Sequence, residues 1–260
     1  MVMVMVMVIM KKVNIKMFFS FFRKKKEKRG PLIEVDLHSH LIPGIDDGSK
    51  SMEESLSLLT GLEALGYKKV ITTPHIMLDA YRNTPEIIRN GLNALRNAAK
   101  EAGINVEIEA AAEYYLDDGF EALLKEGDML TIEGKYLLFE TSYFAKPLQL
   151  EEMLFSIAVS GYIPLMAHPE RYRYVKDPLK EYGRFKELGV LFQVNLNSFG
   201  GHYGKDAKYK ANFLRKEGMI DFLGSDVHHA KQVDTLKNVF VSESYRDIFK
   251  HNTILNNELI

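Results

Sequence analysis

The 260 residues contain no cysteine. That excludes disulfides, thiolate metal ligands and a cysteine nucleophile, and it fits a reducing compartment, so the chain is read as cytoplasmic. Any metal must be held by imidazole nitrogen and carboxylate oxygen. A membrane-spanning run is missing where one would first be sought. Met1 to Met10 alternates Met and Val, but Lys11 and Lys12 end the stretch well short of bilayer thickness. It also lacks the basic n-region and small-residue cleavage site of a secretory signal. It is read as upstream sequence, with translation expected to start near Met17.

Acid is scarce at the same end. Residues 11–29 carry nine Lys/Arg and one acid. Setting them aside from the 34 basic and 35 acidic residues leaves a formal −9 for the body, against −1 overall. A basic arm on an acidic globule has either its own partner, such as an anionic membrane surface, or none, as a solvated tail. Phe18, Phe19, Phe21 and Phe22 stand beside the cluster Arg23 to Arg29, a composition suited to reversible membrane or partner docking. Residues 1–30 are accordingly taken as a disordered, Phe-rich leader, possible peripheral membrane contact included, and 31–260 as one domain. With 46% hydrophobic residues, that length is enough for a full core.

From Gly30-Pro31 onward, short apolar runs alternate with longer amphipathic ones. Strands are predicted at Leu32–Leu37, Lys69–Thr73, Val106–Ala111, Tyr136–Phe139, Ile163–Ala167, Val190–Val194 and Ile220–Leu223. Helices are predicted at Met52–Leu65, Pro85–Ala102, Phe120–Lys125, Leu150–Val159, Leu179–Leu188 and Ala207–Lys216, with a last helical segment within Val233–Asn257. Short apolar strands between helices indicate an α/β protein with a parallel sheet. An open sheet and a closed barrel share this pattern.

The chemistry separates them. Strand one leads into Asp36, His38 and His40, with Asp46 and Asp47 in the next loop. Strand two runs into His75, three into Glu113, four ends at Glu140, five at His168, and seven at Asp226 and His228. The sixth offers the weaker Asn195 and Asn197. An open sheet collects a ligand only at its switch point, whereas a barrel gathers every strand end around one mouth. A lone His after a strand is most often a hydrogen-bonded side chain. His38-x-His40 is different, since period two puts both imidazoles on one face, and Asp226-x-His228 repeats the arrangement. His202 shows no such placement; His229 and His251 are read as surface residues. Five imidazoles and four carboxylates are too many for one ion with an open position, so two or three divalent ions are expected, with Mn²⁺, Fe²⁺ and Zn²⁺ all compatible.

Asp36-Leu-His38-Ser-His40 resembles the opening motif of the PHP (polymerase and histidinol phosphatase) superfamily. The run from Leu41 through Asp47 to Ser49, Thr72-Thr-Pro-His75, Ala112-Glu-Tyr-Tyr115, Ala167-His-Pro-Glu-Arg171 and Gly224-Ser-Asp-Val-His228 resemble one branch of it. That branch comprises the manganese-dependent protein-tyrosine phosphatases of bacterial capsule and exopolysaccharide synthesis. The resemblance runs from about Leu32 to His229. It implies a distorted seven-stranded (β/α) barrel (PHP domain) with three metals at the C-terminal mouth. By motif, His38, His40, Glu113 and Asp226 would hold the first, Glu113 would bridge to a second completed by Glu140 and His168, and Asp47, His75 and His228 would hold the third. The loop ligand is placed at Asp47 and not Asp46. Arg171 matches the catalytic, phosphate-binding arginine; Arg173 and Arg82 are the choices for a second. The implied substrate is the tyrosine-rich tail of a membrane tyrosine kinase that controls polysaccharide export, and no nucleic acid is involved. The alternatives are a small-molecule phosphatase, such as one acting on histidinol phosphate, and a non-catalytic metal-binding module.

Overall fold

Proline and glycine set the element ends. Pro85 occupies the first turn of a helix capped by Thr84, whose hydroxyl accepts from the Ile87 amide, and Gly66 takes the left-handed conformation that ends the helix before it. The computed structural model describes residues 33–260. The leader, the expected start at Met17 and the proposed docking phenylalanines all lie outside the described residues.

Nine strands are present among the described residues: β1 (Val35–Asp36), β2 (Lys69–Thr72), β3 (His75–Ile76), β4 (Glu107–Ala110), β5 (Glu113–Tyr115), β6 (Tyr136–Glu140), β7 (Ile163–Ala167), β8 (Leu191–Asn195) and β9 (Phe222–Gly224). All pairings between them are parallel, in one sheet of order β1-β2-β4 and another of order β3-β5-β6-β7-β8-β9. Helices α1 (Met52–Leu65), α2 (Pro85–Glu101), α3 (Phe120–Glu126), α4 (Leu150–Val159), α5 (Pro178–Glu187), α6 (Leu196–Gly200), α7 (Gly204–Lys216), α8 (Ala230–Phe240) and α9 (Glu243–His251) connect them. Short 3₁₀ turns occupy Pro169–Arg171 and Asn256–Leu259. No helix among the described residues is long and apolar enough to cross a membrane.

The seven strands expected from the sequence become nine because two of them are interrupted. Pro74 has no amide hydrogen and ends β2, and the chain re-forms a strand at His75. The neighbouring strand breaks opposite it, at Ala111-Ala112. Thr72 faces Ala110 before the break and His75 faces Glu113 after it, the same offset, and the Glu113 amide donates to the Pro74 carbonyl at 3.1 Å. The final helical segment is two helices, because Ser242 caps a new one by accepting from the Tyr245 amide. Helix α6 had no forecast, and α7 starts three residues earlier than its apolar spacing indicated.

Both faces of the strands are buried. Leu137 and Phe139 of β6 pack with the helices, while Tyr136 and Leu138 join Val35, Leu37, Ile71, Leu165 and Phe222 in a second cluster on the opposite face. The outermost strands of the two sheets meet just past their ends. Ser39 and Val227 form an isolated parallel bridge, and the Asp226 amide donates to the His38 carbonyl at 2.8 Å. Gly224 lies at this meeting point, where a Cβ would stand 2.8 Å from that of His38. Only glycine permits so close an approach.

Candidate metal centre

The structure brings all nine sequence-predicted residues together in one cluster. His38 and His40 follow β1, His75 and Glu113 open β3 and β5, Glu140 closes β6, and His168 follows β7. Asp226 and His228 lie beyond β9, not on it. Strand alternation therefore does not bring them together. Asp226 sits at φ +50° and His168 at φ +35°, left-handed conformations that cost a side-chain-bearing residue about 1–3 kcal/mol and mark a backbone bent to aim a group. Eight of the nine are buried or nearly so; Asp47 is 51% exposed at the mouth.

Their donor atoms fall into four overlapping groups, each with all atoms within 4.8 Å of one another: His40-Asp47-His75-His228, His38-His40-Asp226, His38-Glu113-His168 and His75-Glu113-Glu140. Glu113 Oε2 is 3.3 Å from His38 Nε2, 3.5 Å from His40 Nε2 and 3.2 Å from His75 Nδ1. Asp226 Oδ1 is 3.5 Å from His38 Nε2, and Asp47 Oδ1 is 3.4 Å from Nε2 of both His75 and His228. Donors about 2.1 Å from a four-coordinate ion stand about 3.4 Å apart, so these are the edge lengths of coordination polyhedra. Glu113 Oε2, His75 Nδ1 and His168 Nδ1 are moreover buried with no hydrogen-bond partner. Orphaned buried polar atoms are costly unless something else satisfies them. The donor set fits divalent metal ions.

A second set of side chains fixes the imidazoles. His40 Nδ1 bonds Asp46 Oδ2 at 2.8 Å, which leaves Nε2 for the centre. Asp46 also accepts from the Gly48 and His75 amides and so braces the first imidazole, while Asp47 faces the cavity. His38 Nδ1 lies 2.6 Å from Gln193 Oε1, Gln193 Nε2 donates to Asn195 Oδ1, and Asn195 Nδ2 donates to Asp226 Oδ2. This buried chain ties the two ends of the sequence's ligand pattern together. Asn197 instead bonds the Gln232 carbonyl, away from the centre. Groups that orient a ligating imidazole typically matter 10–100-fold in metal affinity or activity. Asp46→Ala is therefore expected to weaken metal binding about 10–100-fold in a metal titration, with Asp46→Asn recovering part by keeping an acceptor. Wild-type affinity in Asp46→Ala would remove that role.

Arg171 reaches the same cavity, of about 310 Å³. Its guanidinium donates to Asp226 Oδ2 at 2.9 Å and is sandwiched between the Tyr143 ring at 4.6 Å and the Tyr203 ring at 4.4 Å. Tyr203 donates its hydroxyl to the same Asp226 oxygen at 3.0 Å. Neither arginine considered as a second anion binder lines this cavity: Arg82 donates to the Leu78 carbonyl at an apolar groove, and Arg173 lines the adjoining cleft. The cavity wall does contain Lys231, His202 and His229, none of which sequence spacing singled out. His229 is exposed, as expected, but precedes α8 at the rim; His251 is exposed elsewhere.

Charge in the centre is balanced by opposition. Burial works against the Glu113 carboxylate, but His38 and His75 hold it well below the usual range. Burial also opposes ionisation of Asp226, which His38, His228 and Arg171 outweigh. His38 titrates above its ordinary value despite burial, because Glu113 and Asp226 surround it. Burial lowers His168, and Arg171 adds to the effect, which favours the neutral form that a metal ligand requires.

Comparison with known proteins places this geometry among relatives. The family described as capsular polysaccharide synthesis, CpsB/CapC, matches residues 34–241. The tyrosine-protein phosphatase YwqE of Bacillus subtilis is 27% identical over 198 residues, 76% of this chain and 78% of that protein. The tyrosine-protein phosphatase CpsB of Streptococcus pneumoniae is 29% identical over 201 residues, 75% and 83% of the two chains. Among solved structures, one from a study of YwqE and CpsB described as unique metal-dependent tyrosine phosphatases superposes with a TM-score of 0.73 at 25% identity. It covers 85% of this chain and 96% of that one.

Proposed function

Since the chain belongs to the CpsB/CapC capsular polysaccharide synthesis family, we propose that it is a metal-dependent protein-tyrosine phosphatase. One observation carries the reading: a nine-residue imidazole and carboxylate centre opens into the same cavity as a guanidinium braced for an anion. The two relatives and the solved structure are named as tyrosine phosphatases, and the structure as metal-dependent.

The finer assignments are those the motif resemblance implies. His38, His40, Glu113 and Asp226 would hold one ion, Glu113, Glu140 and His168 a second, and Asp47, His75 and His228 a third. Mn²⁺ suits the mixed nitrogen and oxygen set. The two sheets are read as one interrupted barrel: the Ser39–Val227 bridge, the continuous register across the Pro74 break and the core cluster on the non-helical face all support closure. The substrate is read as a phosphotyrosine tail of a membrane kinase that controls polysaccharide export.

Phosphotyrosine is a dianion with a phenol leaving group of pKa about 10, so its hydrolysis needs charge neutralisation more than a strong acid. Held by the imidazoles and carboxylates of this centre, divalent ions would supply that neutralisation and an activated water. The chain's own residues do the positioning. Arg171 presents a planar fork to two phosphoryl oxygens, and Tyr143 and Tyr203 hold that fork in its plane. When substrate is absent, Asp226 Oδ2 occupies one arm of the fork, so phosphate competes with an internal carboxylate. Asn195 and Tyr203 both donate to this oxygen and keep it satisfied when Arg171 turns away. Phosphotyrosine peptide is expected to be hydrolysed with far higher kcat/KM than histidinol phosphate under identical Mn²⁺ loading. The reverse preference would transfer the chain to small-molecule phosphatases.

A further inference from the structure

Arg171 is the first of two parallel rungs. Two residues on, Arg173 lies over the Phe144 ring at 5.1 Å, as Arg171 lies over Tyr143. The Arg173 amide donates to the Tyr143 carbonyl at 2.7 Å, so the two loops are joined between the rungs. The first rung faces the metal centre. The second opens into a separate cleft of about 300 Å³ that shares Tyr143, Arg171 and Tyr203 with the central cavity and continues along Lys205 and Asp206 at the start of α7.

The charges of this cleft are one-sided. Asp206 is paired with Lys210 at 2.8 Å, which also donates to the Tyr172 carbonyl. Among the described residues, no acid stands within salt-bridge distance of Arg173 or Lys205, both of which are exposed. Phe144 is 70% exposed, a large apolar ring left facing water beside a cation. A solvated surface lysine needs no such wall. Two unneutralised cations and an exposed ring, contiguous with the cavity assigned to phosphotyrosine, form a surface complementary to an acidic segment of extended peptide.

Resting on the phosphatase reading, we propose that this cleft is a peptide subsite that recognises a carboxylate side chain within two positions of the phosphotyrosine. An extended chain advances about 3.3 Å per residue, so the next side chain on the same face stands about 7 Å away, the reach of a neighbouring cleft. Arg173 and Lys205 set substrate preference and take no part in bond breaking.

The test uses the full chain loaded with Mn²⁺. Its substrates are matched phosphotyrosine peptides with Glu, Gln or Lys at the flanking positions, beside a small aryl phosphate. The Glu peptides are expected to exceed the Lys peptides by about three- to tenfold in kcat/KM, through KM, since exposed ion pairs contribute modestly. The difference is expected to shrink as salt rises. Arg173→Glu combined with Lys205→Glu is expected to reverse the order while aryl phosphate turnover stays within about twofold of wild type, exposed pairs being weak. Equal rates on Glu and Lys peptides, or an unreversed preference in the double variant, would overturn the subsite. A parallel loss on aryl phosphate would also overturn it, by placing these residues in the phosphoryl machinery. Failure to hydrolyse any phosphotyrosine peptide, with aryl phosphate still cleaved, would sink the protein-tyrosine phosphatase assignment itself.

Discussion

Stripping divalent ions with a chelator is expected to abolish hydrolysis, and Mn²⁺ is expected to restore it further than Mg²⁺ or Ca²⁺. Mg²⁺ and Ca²⁺ prefer all-oxygen shells, whereas five imidazoles converge here. The pH dependence of reloading has a definite sign. His38 and His40 titrate above the ordinary imidazole value, His40 near 10; burial opposes the charge in each case, but Glu113 and Asp226 act on the first and Asp46 on the second. Protons and metal compete for the same nitrogens, so metal-free protein holds protons that an ion must displace. Reactivation at limiting Mn²⁺ is therefore expected to rise with pH from the ordinary imidazole range toward about 10, with protons released into a weakly buffered solution. Full activity in excess chelator, with no metal detectable in the protein, would refute the reading.

Arg171→Ala is expected to keep its metal complement and lose about 10²–10³ in kcat on a phosphotyrosine peptide, the usual cost of removing one donor aimed at developing charge. Guanidinium cannot ligate a metal, so elemental analysis separates this residue from its loop neighbour. His168→Ala removes a group whose Nε2 lies 2.9 Å from Glu113 Oε1, and both metal content and turnover are expected to fall. Arg171→Lys is expected to recover only part of the rate. An ammonium provides a point charge but neither the planar fork nor the face that stacks between Tyr143 and Tyr203. Wild-type turnover by Arg171→Ala would reduce it to a loop residue held by Asp226.

The convergence of the nine residues was legible because a parallel α/β chain puts every strand's C-terminal end on one side of its sheet, and acids and histidines recur where most of the predicted strands end. The choice of Asp47 over Asp46 rested on likeness alone; in the fold, Asp46 turns inward to His40 and Asp47 stays at the mouth. What periodicity missed has physical reasons. Gln193 looks like an ordinary strand residue, and its bridging of His38 to Asp226 through Asn195, which the sequence offered only as a weaker candidate, depends on pairing between strands far apart in sequence. The left-handed turn at Asp226 breaks the period-two rule at one of the two places where it was invoked. Helix α6 is five residues long, too short for a 3.6-residue repeat to register. The stacking of Arg171 between two rings draws one ring from the loop after β6 and the other from the loop before α7.

The bond between Ser225 and Asp36 spans 189 residues of sequence. On a ribosome adding about 5–20 residues per second, Asp36, His38 and His40 would wait roughly 10–40 s for the partners that complete their surroundings. During that interval the His38 carbonyl and the His40 amide, just past the first strand, face an absent neighbour, and an open parallel edge is a template for pairing with another chain. Parallel contact over such a distance is slow to form because the entropy of the loop must be overcome first. The nascent chain thus carries His38 and His40 beside an edge that waits for residues near its end, where early exposure to a divalent ion would gather a partial ligand set before the backbone could hold it in register.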